Sequence, residues 1–295
     1  MSQLSQLILS GIVMGSIYAL IAVGFVTIFN VTKIINFAQG EFVMVGAMVA
    51  VTLHRANLPL APSFFLAVAA GTLVGLGLER LAIRPARGAS ILTLIIITIG
   101  ASIALRGIAL LLWGTDPFVL PYFSQGAPVS FLGATIVRQG FWVLGLTFVV
   151  MVGLHLFFDY TVRGKALKAC SVNPSVAGLM GIRVESMAAL SFGLSAGLGA
   201  VAGVVIAPIT YATYDMGTML ALKGFVAGVM GGLTNTLAAV AAGFLLGILE
   251  SLGAGLIHSG FKDASAFIIL LVVLLLRPAG LLSLKLKEAY SEHGR

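Results

Sequence analysis

The chain has 295 residues, of which 59% are hydrophobic and 9% charged, with a mean hydropathy of +1.11, a formal net charge of +7 and a pI near 9.8. A water-soluble domain carries about 25% charged residues, so the composition excludes an ordinary soluble protein and places most of the surface against hydrocarbon. One cysteine, Cys170, excludes an internal disulfide and a cysteine-rich metal or iron–sulfur site.

A helix needs about 20 mainly apolar residues to cross a hydrocarbon core roughly 30 Å thick. Apolar runs in chain order fall at 7–29, 40–53, 61–79, 90–112, 139–158, 188–212, 218–232, 236–257 and 264–277. They are continuous rather than alternating, which favours helices over a β-barrel. The fold class read here is therefore all-α: one transmembrane helical bundle over 1–295, with about eight or nine membrane segments. The first run lacks a basic flank and is too long for a secretory signal, so it reads as the first span. The second, seventh and ninth runs are short, the pattern of broken or re-entrant helices buried inside a bundle. The second and seventh are candidates for matching places in two inverted halves.

The basic residues orient the bundle. Alternation across the spans groups Lys33, Arg80, Arg84, Arg87, Arg163, Lys165, Lys168, Arg183, Arg277, Lys285, Lys287 and Arg295 on one side. Arg55, Arg138 and Lys262 fall on the other, and Arg106 and Lys223 lie within segments. The positive-inside rule makes the first side cytoplasmic, with an external N-terminus, a cytoplasmic C-terminus and a basic tail at 278–295. This asymmetry accounts for the positive charge without nucleic acid as a partner. Glycine pairs four apart, such as Gly11/Gly15, Gly71/Gly75, Gly199/Gly203 and Gly243/Gly247, predict closely approaching helices, in one bundle or across a dimer seam.

Three places break the apolar pattern. Between the first two runs stand Asn36, Gln39 and Glu41, polar groups that lipid tolerates only when paired or facing a cavity. One reading is a discontinuous helix lining a solute path, with Glu41 as gate or ion-pair partner. The other is a solvated turn with Asn36 as N-cap and Glu41 in the first helical turn.

The second place is the basic internal segment 159–187. Asn173 followed by Pro174 is a helix start, and Gly181 a left-handed stop. Between them Val176, Leu179 and Met180 share a face that docks either into a partner's groove or back onto the bundle. The third comprises the isolated charges Lys223, Glu250 and Arg106; Arg106 is expected to snorkel, while Lys223 and Glu250 either pair or line a path.

The chain lacks a G-x-x-x-x-G-K-[ST] loop and an H-E-x-x-H motif, and its G-x-S-x-G string, Gly193-Leu194-Ser195-Ala196-Gly197, lies inside an apolar run rather than at the strand-to-helix turn that a nucleophile elbow needs. His54, His155, His258 and His293 show no ligand spacing. No cofactor, metal site or catalytic constellation is expected.

Three stretches carry a resemblance. Gly15-Ser16-Ile17-Tyr18-Ala19-Leu20-Ile21-Ala22 with Ile35-Asn36-Phe37-Ala38-Gln39-Gly40-Glu41, then Arg163-Gly164-Lys165-Ala166 through Leu179-Met180-Gly181-Ile182, then 219–250 with Lys223, Gly231-Gly232 and Gly247-Ile248-Leu249-Glu250, occur in order along nearly the whole chain. Together they resemble the LivH-type permease subunits of branched-chain amino-acid ABC importers.

Gln39 stands where that family usually has His. Thr234, Asn235 and Ala238 stand where it commonly has a Gly-Ser turn and a further Gly. These differences bear on cargo rather than architecture.

The resemblance implies a bacterial inner-membrane subunit forming half of a solute pathway. Its implied partners are a second related permease, two cytosolic ATP-binding subunits and a periplasmic solute-binding protein. It further implies that Arg163, Gly164, Asn173, Pro174, Val176, Leu179, Met180 and Gly181 belong to the ATPase-coupling segment. Relatives carrying urea, short amides or aromatic acids, and an ion-driven secondary transporter, are the alternative readings.

Overall fold

Inside hydrocarbon, backbone polar groups must find partners within the protein, so long apolar runs fold as helices. The computed structural model describes residues 2–276 apart from 132 and 259, and each of the nine apolar runs is helical in it. The order is α1 (Ser2–Thr32), α2 (Gln39–Arg55), α3 (Leu60–Leu78, continued by a π-helical turn Glu79–Ile83), α4 (Ile91–Trp113) and α5 (Arg138–Tyr160). Two short helices follow, α6 (Val162–Val172) and α7 (Pro174–Leu179), then α8 (Val184–Thr210), α9 (Met216–Met230), α10 (Thr236–Leu256) and α11 (Phe261–Leu276).

The chain is an all-α polytopic bundle. Among the described residues six helices, α1, α3 with its extension, α4, α5, α8 and α10, are long and apolar enough to cross a membrane. The runs expected to be short are short: α2, α9 and α11 have 17, 15 and 16 residues, or roughly 22–26 Å at 1.5 Å per residue.

Two helices form the core. Over their spanning stretches α1 and α8 are 83% and 78% buried, against 22% in α3 and α4 and 17% in α5. α1 lies along α10 and also touches α8 and α9, while α8 sits between α2 and α3.

The glycines explain how closely these helices approach. A Cβ on Gly15 would stand 2.8 Å from the Phe244 Cα of α10, and one on Gly243 2.6 Å from the Ala19 Cα of α1. Gly71 meets the Ala200 methyl of α8 in the same way, at 2.6 Å. The glycine pairs read as a bundle or dimer seam therefore pack helices of this same chain. Gly232 is different: with φ +86° it forms the turn after α9.

Loop contacts sort the bundle into two ends. At one, the Lys33 ammonium donates to the Ser171 carbonyl, Arg84 and Arg87 pair with Glu185, and Arg87 pairs with Glu79. At the other, Arg55 lies 4.6 Å over the Phe118 ring, Phe118 and Ala212 form a backbone bridge, and Arg138 donates to the Gln125 and Ala127 carbonyls. A short antiparallel hairpin, β1 (Val129–Phe131) with β2 (Ala134–Ile136), lies in the long Pro-containing connection at that end. Gln6 of α1 bonds both backbone groups of Thr135 there. The sequence reading placed no strands in that loop. Of the basic residues assigned to the first end, Arg277, Lys285, Lys287 and Arg295 lie outside the described residues, as does the tail 278–295.

Candidate functional site

Between α1 and α2 the chain turns inward instead of staying at the surface. Lys33 adopts φ +58°, and Ile34, Asn36, Ala38 and Gln39 are all buried. Non-helical backbone at that depth must still find partners. Phe37 N–H donates to Thr98 Oγ1 of α4, Ala38 N–H to the Asn36 side chain, and Gln39 N–H to the Asn36 carbonyl.

Asn36 is therefore the organiser of a buried turn. The solvated-turn reading is corrected in its solvation and its cap, since Asn36 is buried and the N-cap of α2 is Ala38, without a side-chain cap bond, while Glu41 does stand in the first turn of α2 as that reading has it. Gln39 does not face a cavity. Its amide donates to the Ser195 carbonyl and accepts from the Ser195 hydroxyl, which is also within bonding distance of the Gly24 carbonyl, tying α1, α2 and α8 together.

α2 thus starts deep in the bundle, and α9 starts against it. Gly40 and Gly217 meet backbone to backbone, leaving no space for a Cβ on either. Beside this junction lies a cavity of about 170 Å³ lined by Phe25, Phe37, Glu41, Ile99, Ser102, Ile103, Arg106, Thr218, Ala221, Leu222 and Phe225. Ser102 is the middle residue of the 23-residue α4, so the site lies about 16 Å from either end of that helix.

Glu41 is 1% exposed. Its Oε1 accepts from Ser102 Oγ at 2.7 Å and from Arg106 Nη2 at 3.3 Å. Arg106 also donates to Ser102 Oγ at 3.2 Å. The expectation that Arg106 snorkels is corrected: its guanidinium turns inward because a buried carboxylate is within reach.

Three residues lining this cavity each carry a fully buried polar atom with no hydrogen-bond partner among the described residues: Glu41 Oε2, Arg106 Nε and Thr218 Oγ1. A buried polar group left unpaired costs about 1–3 kcal/mol, more if charged.

Lys223 and Glu250 lie elsewhere. Lys223 Nζ is 2.9 Å from Glu250 Oε1 of α10 and 2.7 Å from Asp263 Oδ1 of α11, and it lies over the Tyr18 ring of α1. This ion cluster, buried except at Asp263, joins four helices and does not line that cavity.

The basic internal segment contains one helix that was expected and one that was not. Asn173 caps α7, its side chain accepting from Ser175 and Val176 N–H, with Pro174 in the first turn and Gly181 at φ +83° beyond it. Val176, Leu179 and Met180 are all exposed, Leu179 at 87%.

α6 was missed. Its N-cap is Thr161, which accepts from Gly164 N–H, and the ion pair of Lys168 with Asp159 ties it to α5. Gly164 is buried where a Cβ would stand 2.6 Å from the Phe158 Cα. Arg163 joins Arg80, Arg84, Glu79 and Glu185 around a second cavity of about 470 Å³. Among the described residues no cluster of His, Cys, Asp or Glu has the makings of a metal site.

Ser102, Thr218, Thr98 and Asp263 were also not singled out from the sequence. Hydroxyls inside helices bond their own backbone cheaply, so they leave no pattern. Asp263 pairs across 40 residues and shows no spacing signal.

With this geometry in view, comparison with known proteins is specific. Residues 7–276 match the family model described as branched-chain amino acid transport system / permease component. The chain is 35% identical over 292 residues to the high-affinity branched-chain amino acid transport system permease protein BraD of Pseudomonas aeruginosa, covering 94% of this chain and 95% of that one. It is 32% identical to LivH of Escherichia coli K12, covering 94% of each chain. A probable LivH of Methanocaldococcus jannaschii is 30% identical over 96% of this chain and 94% of its own.

Proposed function

Since the chain belongs to the permease-component family of branched-chain amino acid transport systems, and is thus a transport subunit rather than an enzyme, we propose that it forms half of the membrane pathway of an ATP-driven importer of leucine, isoleucine and valine. The observation that carries this is the family match over nearly the full length, 7–276.

In this reading the partners are a second related permease, two cytosolic ATP-binding subunits and a periplasmic solute-binding protein. The end bearing Lys33, Arg80, Arg84, Arg87 and Arg163 is cytoplasmic, which puts the N-terminus outside and the C-terminus inside. The excess of Lys and Arg at that end supports the orientation. All nine apolar helices then belong to the membrane domain, with α2 and α9 as broken elements meeting at Gly40 and Gly217 and with Glu41 on the solute path.

α7 is the coupling helix. An exposed apolar face of Val176, Leu179 and Met180, on a helix capped independently of any partner, suits the groove of an ATPase. Arg163 and Gly164 contribute differently: Arg163 presents charge at the docking surface, and Gly164 lets α6 pack against α5.

The test is ATP-dependent uptake of labelled leucine by the complete importer in proteoliposomes. Leu179→Asp should abolish uptake and ATPase co-purification while the chain stays inserted and folded, because that side chain buries little of itself here. Unchanged uptake in Leu179→Asp, or leucine accumulation by this chain alone without ATP, defeats the proposal.

A further inference from the structure

We propose that the cavity of about 470 Å³ between the end of α3 and the starts of α6 and α8 binds the phosphate of an anionic phospholipid head group, gripped by Arg80 and Arg163. Such a site does not depend on which solute the permease carries. Charge, depth and surroundings point to it.

The charges around the cavity do not cancel. Its two acids, Glu79 and Glu185, are already answered: Arg87 pairs with Glu79 at 2.8 Å and with Glu185 at 3.2 Å, and Arg84 pairs with Glu185 at 2.7 Å. Arg80 and Arg163 also line the cavity, are exposed, and have no ion pair or side-chain hydrogen bond among the described residues. Two guanidinium groups are thus left for a ligand, and their planar forks suit phosphate oxygens.

The depth is that of lipid phosphates. The apolar span formed by α3 and its π-helical turn ends at Ile83, and that of α8 begins at Val184. Arg80 and Glu185 therefore stand where hydrocarbon gives way to head groups, the level at which basic pockets between helices hold anionic lipids. The first turn of α8 borders the same space through Glu185, Ser186 and Met187, and its N-cap, Arg183, makes no side-chain cap bond. The positive end of that helix adds to the attraction for an anion.

The surroundings select a lipid. Leu76, Met187, Ala189 and Leu190 form an apolar side of the cavity. Leu73, one turn deeper on the same face as Leu76, is 67% exposed, and α3 is 22% buried over its span. Acyl chains thus have a hydrophobic strip leading away from the phosphate, from which a free phosphate gains nothing. An acidic side chain of an ATPase would match the charge, but the apolar face assigned to ATPase docking, Val176, Leu179 and Met180, is not part of the cavity wall.

The test is the unfolding midpoint of the full chain in a neutral detergent. It is titrated with phosphatidylglycerol, with phosphatidylcholine of the same acyl chains, or with inorganic phosphate. Phosphatidylglycerol should raise the midpoint saturably, and the other two should not. Arg80→Gln/Arg163→Gln should leave the lipid-free midpoint unchanged, since neither side chain has a partner to lose, and should raise the half-saturating phosphatidylglycerol concentration by roughly tenfold or more. Lys165→Gln/Arg183→Gln removes the same charge from the same end outside the cavity and should leave the lipid response unchanged.

Equal weakening by the two double variants would mean a general attraction to the basic end and overturns the site. Stabilisation by inorganic phosphate as strong as by phosphatidylglycerol overturns the lipid assignment, as does the absence of any phosphatidylglycerol effect. An Arg80→Gln/Arg163→Gln chain that keeps its lipid response but loses its ATPase subunits on purification of the importer makes the cavity a subunit contact, which also overturns the proposal.

Discussion

Lys223→Met should be among the most damaging single substitutions in the bundle, although it adds no bulk. Lys223 and Glu250 side chains are 7% and 3% exposed and 2.9 Å apart. Removing one partner of a buried pair costs about 3–5 kcal/mol, because the survivor stays charged without compensation. Here the survivor is Glu250, whose Oε2 already lacks a partner among the described residues.

Asp263 is 53% exposed, so Asp263→Asn should cost no more than about 1 kcal/mol. Glu250→Leu should cost less than Lys223→Met, since Lys223 keeps Asp263 at 2.7 Å. The double variant Lys223→Met/Glu250→Leu replaces the pair with apolar volume and should lie close to the parent. The cycle would then show a coupling of at least about 3 kcal/mol. The assay is the unfolding free energy of the full chain in mixed micelles, followed by far-ultraviolet circular dichroism. Single effects that add to the double within about 0.5 kcal/mol would refute the reasoning, and so would a Lys223→Met chain as stable as the parent.

Two further outcomes are expected. Gly243→Ala places a methyl 2.6 Å from the Ala19 backbone, where ordinary contact begins at 3.4 Å. α1 and α10 must then part by roughly 0.8 Å at a cost of about 1–3 kcal/mol, whereas Gly100→Ala, with nothing within 4 Å, should not destabilise; equal unfolding midpoints for the two would contradict the seam. Cys170 is fully buried in α6, and burial pushes its thiol up, away from the reactive thiolate. A maleimide at pH 7.5 should label it only after detergent denaturation, and rapid labelling of the native importer would show that α6 leaves the bundle.

The positions of the helices are legible in the sequence because lipid leaves a long apolar run no other choice. The Asn173–Pro174 start of α7 is legible because cap chemistry is local. α6 is not, since Thr161 as its cap is a single residue amid basic ones and the helix has few apolar neighbours. At the candidate site Glu41 stands out as a carboxylate where an apolar run begins, but its role depends on residues that pattern cannot reach. Arg106 is 65 positions away in the chain, and its direction is decided by the buried acceptor opposite rather than by its own helix. Thr218 is one hydroxyl among many, distinguished only by what it does not bond. Lys223 and Glu250 are readable as costly, yet the third member, Asp263, emerges only when α11 packs on α9.

The shallow reach of α2 has a consequence for how the chain is made. Seventeen residues with Gln39 and Glu41 at the leading edge form a poor candidate for independent insertion. Its cover is α8, whose last residue is synthesised 155 positions after α2 ends, about 8–30 seconds later at ordinary translation rates. Glu41 meanwhile has α4 beside it but lacks the wall of its pocket that Thr218, Ala221, Leu222 and Phe225 supply once α9 follows α8, so the nascent subunit carries a half-built polar pocket. Biogenesis of this permease is therefore vulnerable early, and factors that shelter incomplete membrane segments should act on it between the emergence of α2 and that of α8.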